Sequence, residues 1–223
     1  AYPILQGGMA WIADGRLAAA VSNAGGLGLI SAVSPDPDYL RQQISVARSL
    51  TEKPFGVNIM LMSPFADEVA KVVVDEGIGI VTTGAGSPLK YMPAWIGAGI
   101  KVLPVIPSTG IARRMEKGGA CAVIAEGGES GGHVGELTTM ALVPQVCDAV
   151  SIPVVAAGGI ADAACVRAAL ALGASGVQVG TAFLRTPEAD TSALHRSALA
   201  GDEARHTALT NLFTGRPARG IVN

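Results

Sequence analysis

The sequence predicts an α/β fold of the (β/α)8 barrel type on three observations. Eight short apolar, β-branched runs alternate with seven Ala-rich helical patterns. The runs are nearly all apolar rather than alternating, which marks parallel strands covered on both faces. No G-x-G-x-x-G follows the first run, which weighs against an open doubly wound sheet, since Gly7-Gly8 and Gly25-Gly26-Leu27-Gly28 do not supply it.

In chain order, the predicted strands are Ile4–Gln6, Leu27–Ser31, Phe55–Ile59, Ile78–Thr82, Lys101–Ile106, Ala120–Ala125, Pro153–Ala156 and Gly176–Val179. The predicted helices are Gly15–Ala24, Pro37–Leu50, Pro64–Glu76, Pro88–Gly97, Thr109–Lys117, Thr138–Val150 and Ala161–Leu172. Several open with Pro or Asp and end at Gly, because Pro fits the first turn and Gly adopts the αL stop. Residues 1–184 read as the barrel. Residues 185–223 are more polar and irregular, and read as an appended, incomplete segment.

At 223 residues, with 49% apolar and 15% charged residues, one large domain with a substantial core is expected. A net charge of −2 gives no electrostatic footprint for nucleic acid or an anionic membrane. No apolar run approaches the ~18 residues of a membrane span. No secretory leader is expected from this sequence, and the start at Ala1 reads as a trimmed chain. Cys121, Cys147 and Cys165 are odd in number and lack C-x-x-C spacing, so small buried thiols in a reducing cytoplasm are expected and a metal site is not.

In such a barrel, chemistry gathers at the C-terminal ends of the strands. The stretch Glu126–Gly135, E-G-G-E-S-G-G-H-V-G, falls there with five glycines in ten residues and one of three histidines. Taken alone it is equally a solvated surface loop. Its position after the sixth strand favours a backbone-built ligand site with His133 as proton donor or acceptor. Gly158-Gly159 and Gly180-Thr181 follow the seventh and eighth strands. There, exposed backbone N–H groups and a hydroxyl suit a phosphate. Asn58 and Gln178 end apolar strands, where a side-chain amide can meet a heterocycle edge or tie strand to loop. Met9 on its glycine turn suits a flat ring or the core, and Glu126 a ligand hydroxyl or a neighbouring N–H. His195 and His206 read as surface residues, Trp11 and Trp95 as packing residues, and Arg113, Arg114 and Lys117 as a solvated helix face.

These residues fall into a familiar ordered series. It runs Q-G-G-M-A-W at Gln6–Trp11, K-P-F-G-V-N at Lys53–Asn58, T-T-G-A-G at Thr82–Gly86 and A-E-G-G-E-S-G-G-H-V-G at Ala125–Gly135. It continues with L-T-T-M at Leu137–Met140, A-A-G-G-I-A-D at Ala156–Asp162 and V-Q-V-G-T at Val177–Thr181. The series resembles the flavin enoyl-[acyl-carrier-protein] reductase II family, within the nitronate monooxygenase (2-nitropropane dioxygenase) superfamily. The resemblance implies a TIM barrel binding FMN. Gly8 and Met9 would lie against the isoalloxazine and Asn58 on its edge, with Glu126 and Gly131 along it. Gly158, Gly159, Gly180 and Thr181 would lie at the phosphate, with Gln178 and Val179 beside them, and His133 would be catalytic.

On the reductase side, NAD(P)H would be co-substrate and a trans-2-enoyl thioester on acyl-carrier protein the substrate. On the monooxygenase side, alkyl nitronate and O2 take those places. A non-catalytic flavin- or phosphate-binding barrel is a third reading. The tail T-G-R-P-A-R-G-I at Thr214–Ile221 is similar to the monooxygenase side. The resemblance further implies a helical continuation past residue 223 and a homodimer.

Overall fold

A computed structural model describes residues 1–34, 36–212 and 215–222. Thr214, which opens the monooxygenase-like tail motif, lies outside the described residues. Eight parallel strands form the barrel: β1 (Ile4–Gln6), β2 (Gly28–Ala32), β3 (Phe55–Met60), β4 (Ile80–Gly84), β5 (Lys101–Ile106), β6 (Val123–Glu126), β8 (Val154–Ala157) and β9 (Gly176–Val179). Between β6 and β8 runs the two-residue β7 (Gly132–His133). Their order in the sheet is β1-β9-β8-β6-β5-β4-β3-β2. The helices are α1 (Gly15–Asn23), α2 (Pro37–Leu50), α3 (Ala66–Asp75), α4 (Met92–Gly97), α5 (Thr109–Lys117), α6 (Thr139–Ala149), α7 (Ala163–Ala171) and α8 (Ala193–Ala200). The expected (β/α)8 architecture is therefore observed.

The seam between β1 and β2 closes differently from the rest. One parallel bridge, Leu5 to Leu27, joins them, with Gln6 N–H donating to Leu27 O at 3.0 Å and Leu27 N–H to Ile4 O at 2.9 Å. The fully buried Gln6 side chain extends the seam, since its Oε1 accepts from Leu29 N–H at 3.0 Å and its Nε2 donates to Gly7 O. A buried amide is tolerated because its polar atoms are paired.

Two apolar layers result. Ile30, Val57, Val81, Val102, Val123, Ala156 and Val177 turn outward, against the buried faces of the helices. Leu5, Leu103, Ala122, Ile124, Val155 and Ala157 fill the barrel interior. Helix starts follow local chemistry: the carboxylates of Asp14, Asp36 and Asp162 and the hydroxyl of Ser108 accept from backbone N–H groups of their own first turns.

Several expectations need correction. Cys121 is exposed, where the chain enters the barrel at its N-terminal rim, while Cys147 and Cys165 are half-buried and pack against the edge of the core. Trp95 is buried, with its indole donating to Ala70 O at 3.0 Å, but Trp11 is 72% exposed and is no packing residue. Residues after 184 are more ordered than their composition suggests. They form α8 and the hairpin β10 (Thr207–Thr210) with β11 (Ala218–Ile221), and β11 pairs antiparallel with β7. Among the described residues, no helix is long and apolar enough to cross a membrane.

Candidate active site

Strand register builds the mouth of the barrel. Ser31 pairs with Asn58 and Asn58 with Thr82, on the row of the interior residue Leu103. Glu126 pairs with Ala157, Ala157 with Gln178 and Gln178 with Leu5, again on the interior side. Paired residues of parallel strands point the same way, so Ser31, Asn58, Thr82, Glu126 and Gln178 crown the apolar interior with polar groups. Thr82 Oγ1 donates to Asn58 Oδ1 at 2.9 Å, which leaves Asn58 Nδ2 as the donor. That amide lies on Gly8: a Cβ there would stand 2.3 Å from Nδ2 and would displace it.

The Glu126 carboxyl is largely buried, and burial raises its pKa from the ordinary 4.5 to about 7, with a hydrogen bond from Ser130 pulling partly the other way. A raised carboxylate pKa makes the native state hold a proton that the unfolded chain releases. Stability from this group therefore falls as pH rises from about 4.5 through 7. Glu126→Gln is expected to flatten that loss, on the order of 3 kcal/mol, in urea midpoints compared between pH 4.5 and 8. An unchanged slope would remove the buried carboxyl as its source.

The glycine turns converge beside this crown. Gly7 N–H donates to Val179 O at 2.8 Å, and the Gly7 α-carbon faces that of Gly180. The Gly131 α-carbon faces Thr181 Oγ1, and Gly158 faces Ser130 and Gly127 O. Gly158 and Gly159 have φ of +106° and +68°, which L side chains rarely adopt, and the Gly180 α-carbon faces open space. Loops after four strands thus meet in one bowl of backbone. Val179 differs from its neighbours, since its side chain packs outward in the helix-facing layer and only its backbone borders the bowl.

Positive φ at non-glycine residues is confined to Met9 (31°), Trp11 (69°) and Ala85 (53°) among the described residues. All three lie in loops after β1 and β4 at this end of the barrel. Strain of this kind concentrates at functional sites. His133 is exposed on β7, opposite Ala218 of β11.

Three residues at the site gave no readable signal in the sequence. Glu129 Oε2 accepts from Thr139 N–H at 2.8 Å and from Thr139 Oγ1 at 2.9 Å, capping α6 from outside. Arg219 donates from Nε to Gly128 O at 2.8 Å. The Ser31 hydroxyl is buried in the crown with no partner among the described residues. Glu129 and Arg219 depend on contacts between segments distant in the chain, and Ser31 on the register that turns it into the crown.

The nitronate monooxygenase family model matches residues 1–73 and 63–223. A probable nitronate monooxygenase of Staphylococcus saprophyticus is 36% identical over 270 residues, taking in 100% of this chain and 76% of that protein. The (3aS,4S,5R,7aS)-5-hydroxy-7a-methyl-1-oxo-octahydro-1H-indene-4-carboxyl-CoA dehydrogenase of Rhodococcus jostii is 41% identical over 187 residues, 84% of this chain and 53% of that protein. The chain therefore spans about half the length of that relative. FabK from Thermotoga maritima superposes with a TM-score of 0.95 and 50% identity, over 99% of this chain and 71% of its own. Nitroalkane oxidase from Streptomyces ansochromogenes gives a TM-score of 0.92 and 35% identity, over 100% and 77%. With the family model matching from end to end and a relative 36% identical across the whole chain, this barrel belongs to the nitronate monooxygenase family.

Proposed function

We propose that this chain is an FMN-dependent oxidoreductase, a reductase of trans-2-enoyl thioesters carried on acyl-carrier protein, with NAD(P)H as co-substrate. The observation that carries the choice is the reductase-like motif series together with 50% identity to FabK over 99% of the chain, against 36% and 35% to the two relatives named for nitro compounds. The dehydrogenase relative, named for a CoA thioester, supports the thioester class.

The mouth fits a flavin. Gly8 has no side chain to displace the Asn58 amide, the Gly180 α-carbon faces open space, and Gly158 and Gly159 adopt positive φ. In this reading, residues 1–184 hold FMN and 185–223 cover one side. Bound FMN supplies hydride transfer. Asn58 Nδ2 donates to the ring edge, and Gly8 and Met9 pack on its face. Glu126, Gly131 and Gln178 border the ring. Gly158, Gly159, Gly180 and Thr181 donate to the phosphate, with the Val179 backbone beside them. His133 holds a proton for the substrate carbonyl or α-carbon.

The nitronate monooxygenase reading rests on the family model, which matches from end to end. Anaerobic mixing with NADH separates the two. The reductase reading expects a flavin absorption band that bleaches with NADH and returns with an enoyl thioester. A band that ignores NADH, with oxygen uptake on adding an alkyl nitronate, selects the monooxygenase. Protein that takes up no FMN defeats both.

A further inference from the structure

The loop between Glu126 and Gly135 carries His133 on five glycines. Glycine loses more backbone freedom on ordering than any other residue, so such a segment does not hold a side chain still unaided. Its base is tied locally. Gly128 N–H donates to Leu137 O at 2.8 Å and Ser130 N–H to Gly127 O at 3.1 Å, while Glu129 Oε2 accepts from Thr139 N–H at the start of α6. The tip is tied from elsewhere. On β11, the Arg219 backbone lies opposite Gly132, and its guanidinium reaches Gly128 O at 2.8 Å through Nε. Its Nη1 donates to Thr207 Oγ1 of β10 at 3.0 Å, which splints the guanidinium to both strands of the hairpin. Val134 N–H donates to Pro217 O at 3.2 Å on the far side of His133. One residue therefore spans the loop from Gly128 to Gly132, immediately before the histidine.

We infer that Arg219 is a positioning residue that sets His133 by bracing the glycine loop against the C-terminal hairpin. The effect on turnover rests on the catalytic role proposed for His133; the bracing itself does not. A planar fork makes two bonds at fixed geometry, which a lysine ammonium reproduces only in part. Misplacing a catalytic group by about 1 Å costs on the order of 100-fold in rate, so partial loosening is expected to cost about tenfold.

The test compares Arg219→Ala, Arg219→Lys and the milder Thr207→Val by amide hydrogen exchange and steady-state kinetics. Arg219→Ala is expected to speed exchange of peptides covering 127–135 about tenfold, leave peptides from β5 and β8 unchanged, and lower kcat about tenfold. KM and FMN affinity are expected to stay within about twofold. Arg219→Lys recovers part of both losses, and Thr207→Val shows a smaller version of each. Unchanged loop exchange in Arg219→Ala overturns the inference, as does acceleration spread equally over β5 and β8. Should the alanine variant fail to fold, the lysine and valine variants decide by the same criterion. Wild-type protein without flavin defeats the flavin reading alone, and loop exchange then decides the bracing role by itself.

Discussion

Replacing His133 with alanine is expected to lower kcat about 100-fold or more while FMN stays bound, because a positioned general acid or base contributes 10² to 10⁴ in rate. A 100-fold loss corresponds to about 2.7 kcal/mol of transition-state stabilisation. The cofactor contacts proposed here come from the backbone bowl and Asn58, so removing an exposed imidazole on β7 leaves them in place. Glu126 is the competing proton carrier. Its burial poises it near pH 7, where a carboxyl exchanges protons readily, and it stands in the crown rather than at the loop tip. The two are told apart by pairing His133→Ala with Glu126→Gln. If the histidine variant keeps wild-type kcat and the glutamine variant loses it, the proton role passes to Glu126. His195→Ala, in α8, serves as the control and is expected to leave kcat unchanged.

The barrel is legible in the sequence because parallel strands buried on both faces write themselves as short apolar runs between Pro and Gly. Ile4–Gln6, Lys101–Ile106 and Gly176–Val179 are observed with the expected bounds. Where the reading slips, the backbone has other partners. Ile78 continues no strand because its N–H donates back to Val73 O at the end of α3, and Ala120 N–H likewise returns to Met115 O. The antiparallel sheet of β7, β10 and β11 is invisible for a different reason. Its strands are two to four residues long, too short for a period, and the partner of Gly132 lies 87 positions on, at Arg219. The candidate site divides the same way. Asn58, Glu126 and Gln178 stand out as polar endings to apolar strands. Glu129 and Arg219 resemble any surface charge until the fold brings Thr139 and Gly128 to them.

The largest expected loss of stability comes from one added methyl group, at Gly28. This buried residue opens β2 where α1 crosses it, and its N–H donates to Ser22 Oγ at 3.2 Å. A Cβ there would stand 1.9 Å from the carbonyl oxygen of Ala18 and 2.6 Å from its α-carbon. Both are backbone atoms in the middle of α1, so no rotamer change relieves the overlap and the whole helix must move off the barrel. The overlap also falls beside the β1–β2 seam, which holds by a single bridge and the Gln6 side chain. Overpacking of this kind costs about 3 kcal/mol, which in a chain of this size lowers Tm by about 6–12 °C. Gly110→Ala in α5 is the matched comparison, because nothing lies within 4 Å of its added methyl. There, lower backbone entropy in the unfolded chain is expected to raise stability by about 0.5 kcal/mol. Thermal melts of the two variants that coincide would show that α1 rides on β2 with slack, and that closeness at Gly28 is not what seals the barrel. A loss confined to Gly28→Ala ties the seal to the site: Gly7 and Gly8 follow directly on β1, so loosening that seam is expected to weaken flavin binding before the remaining strands come apart.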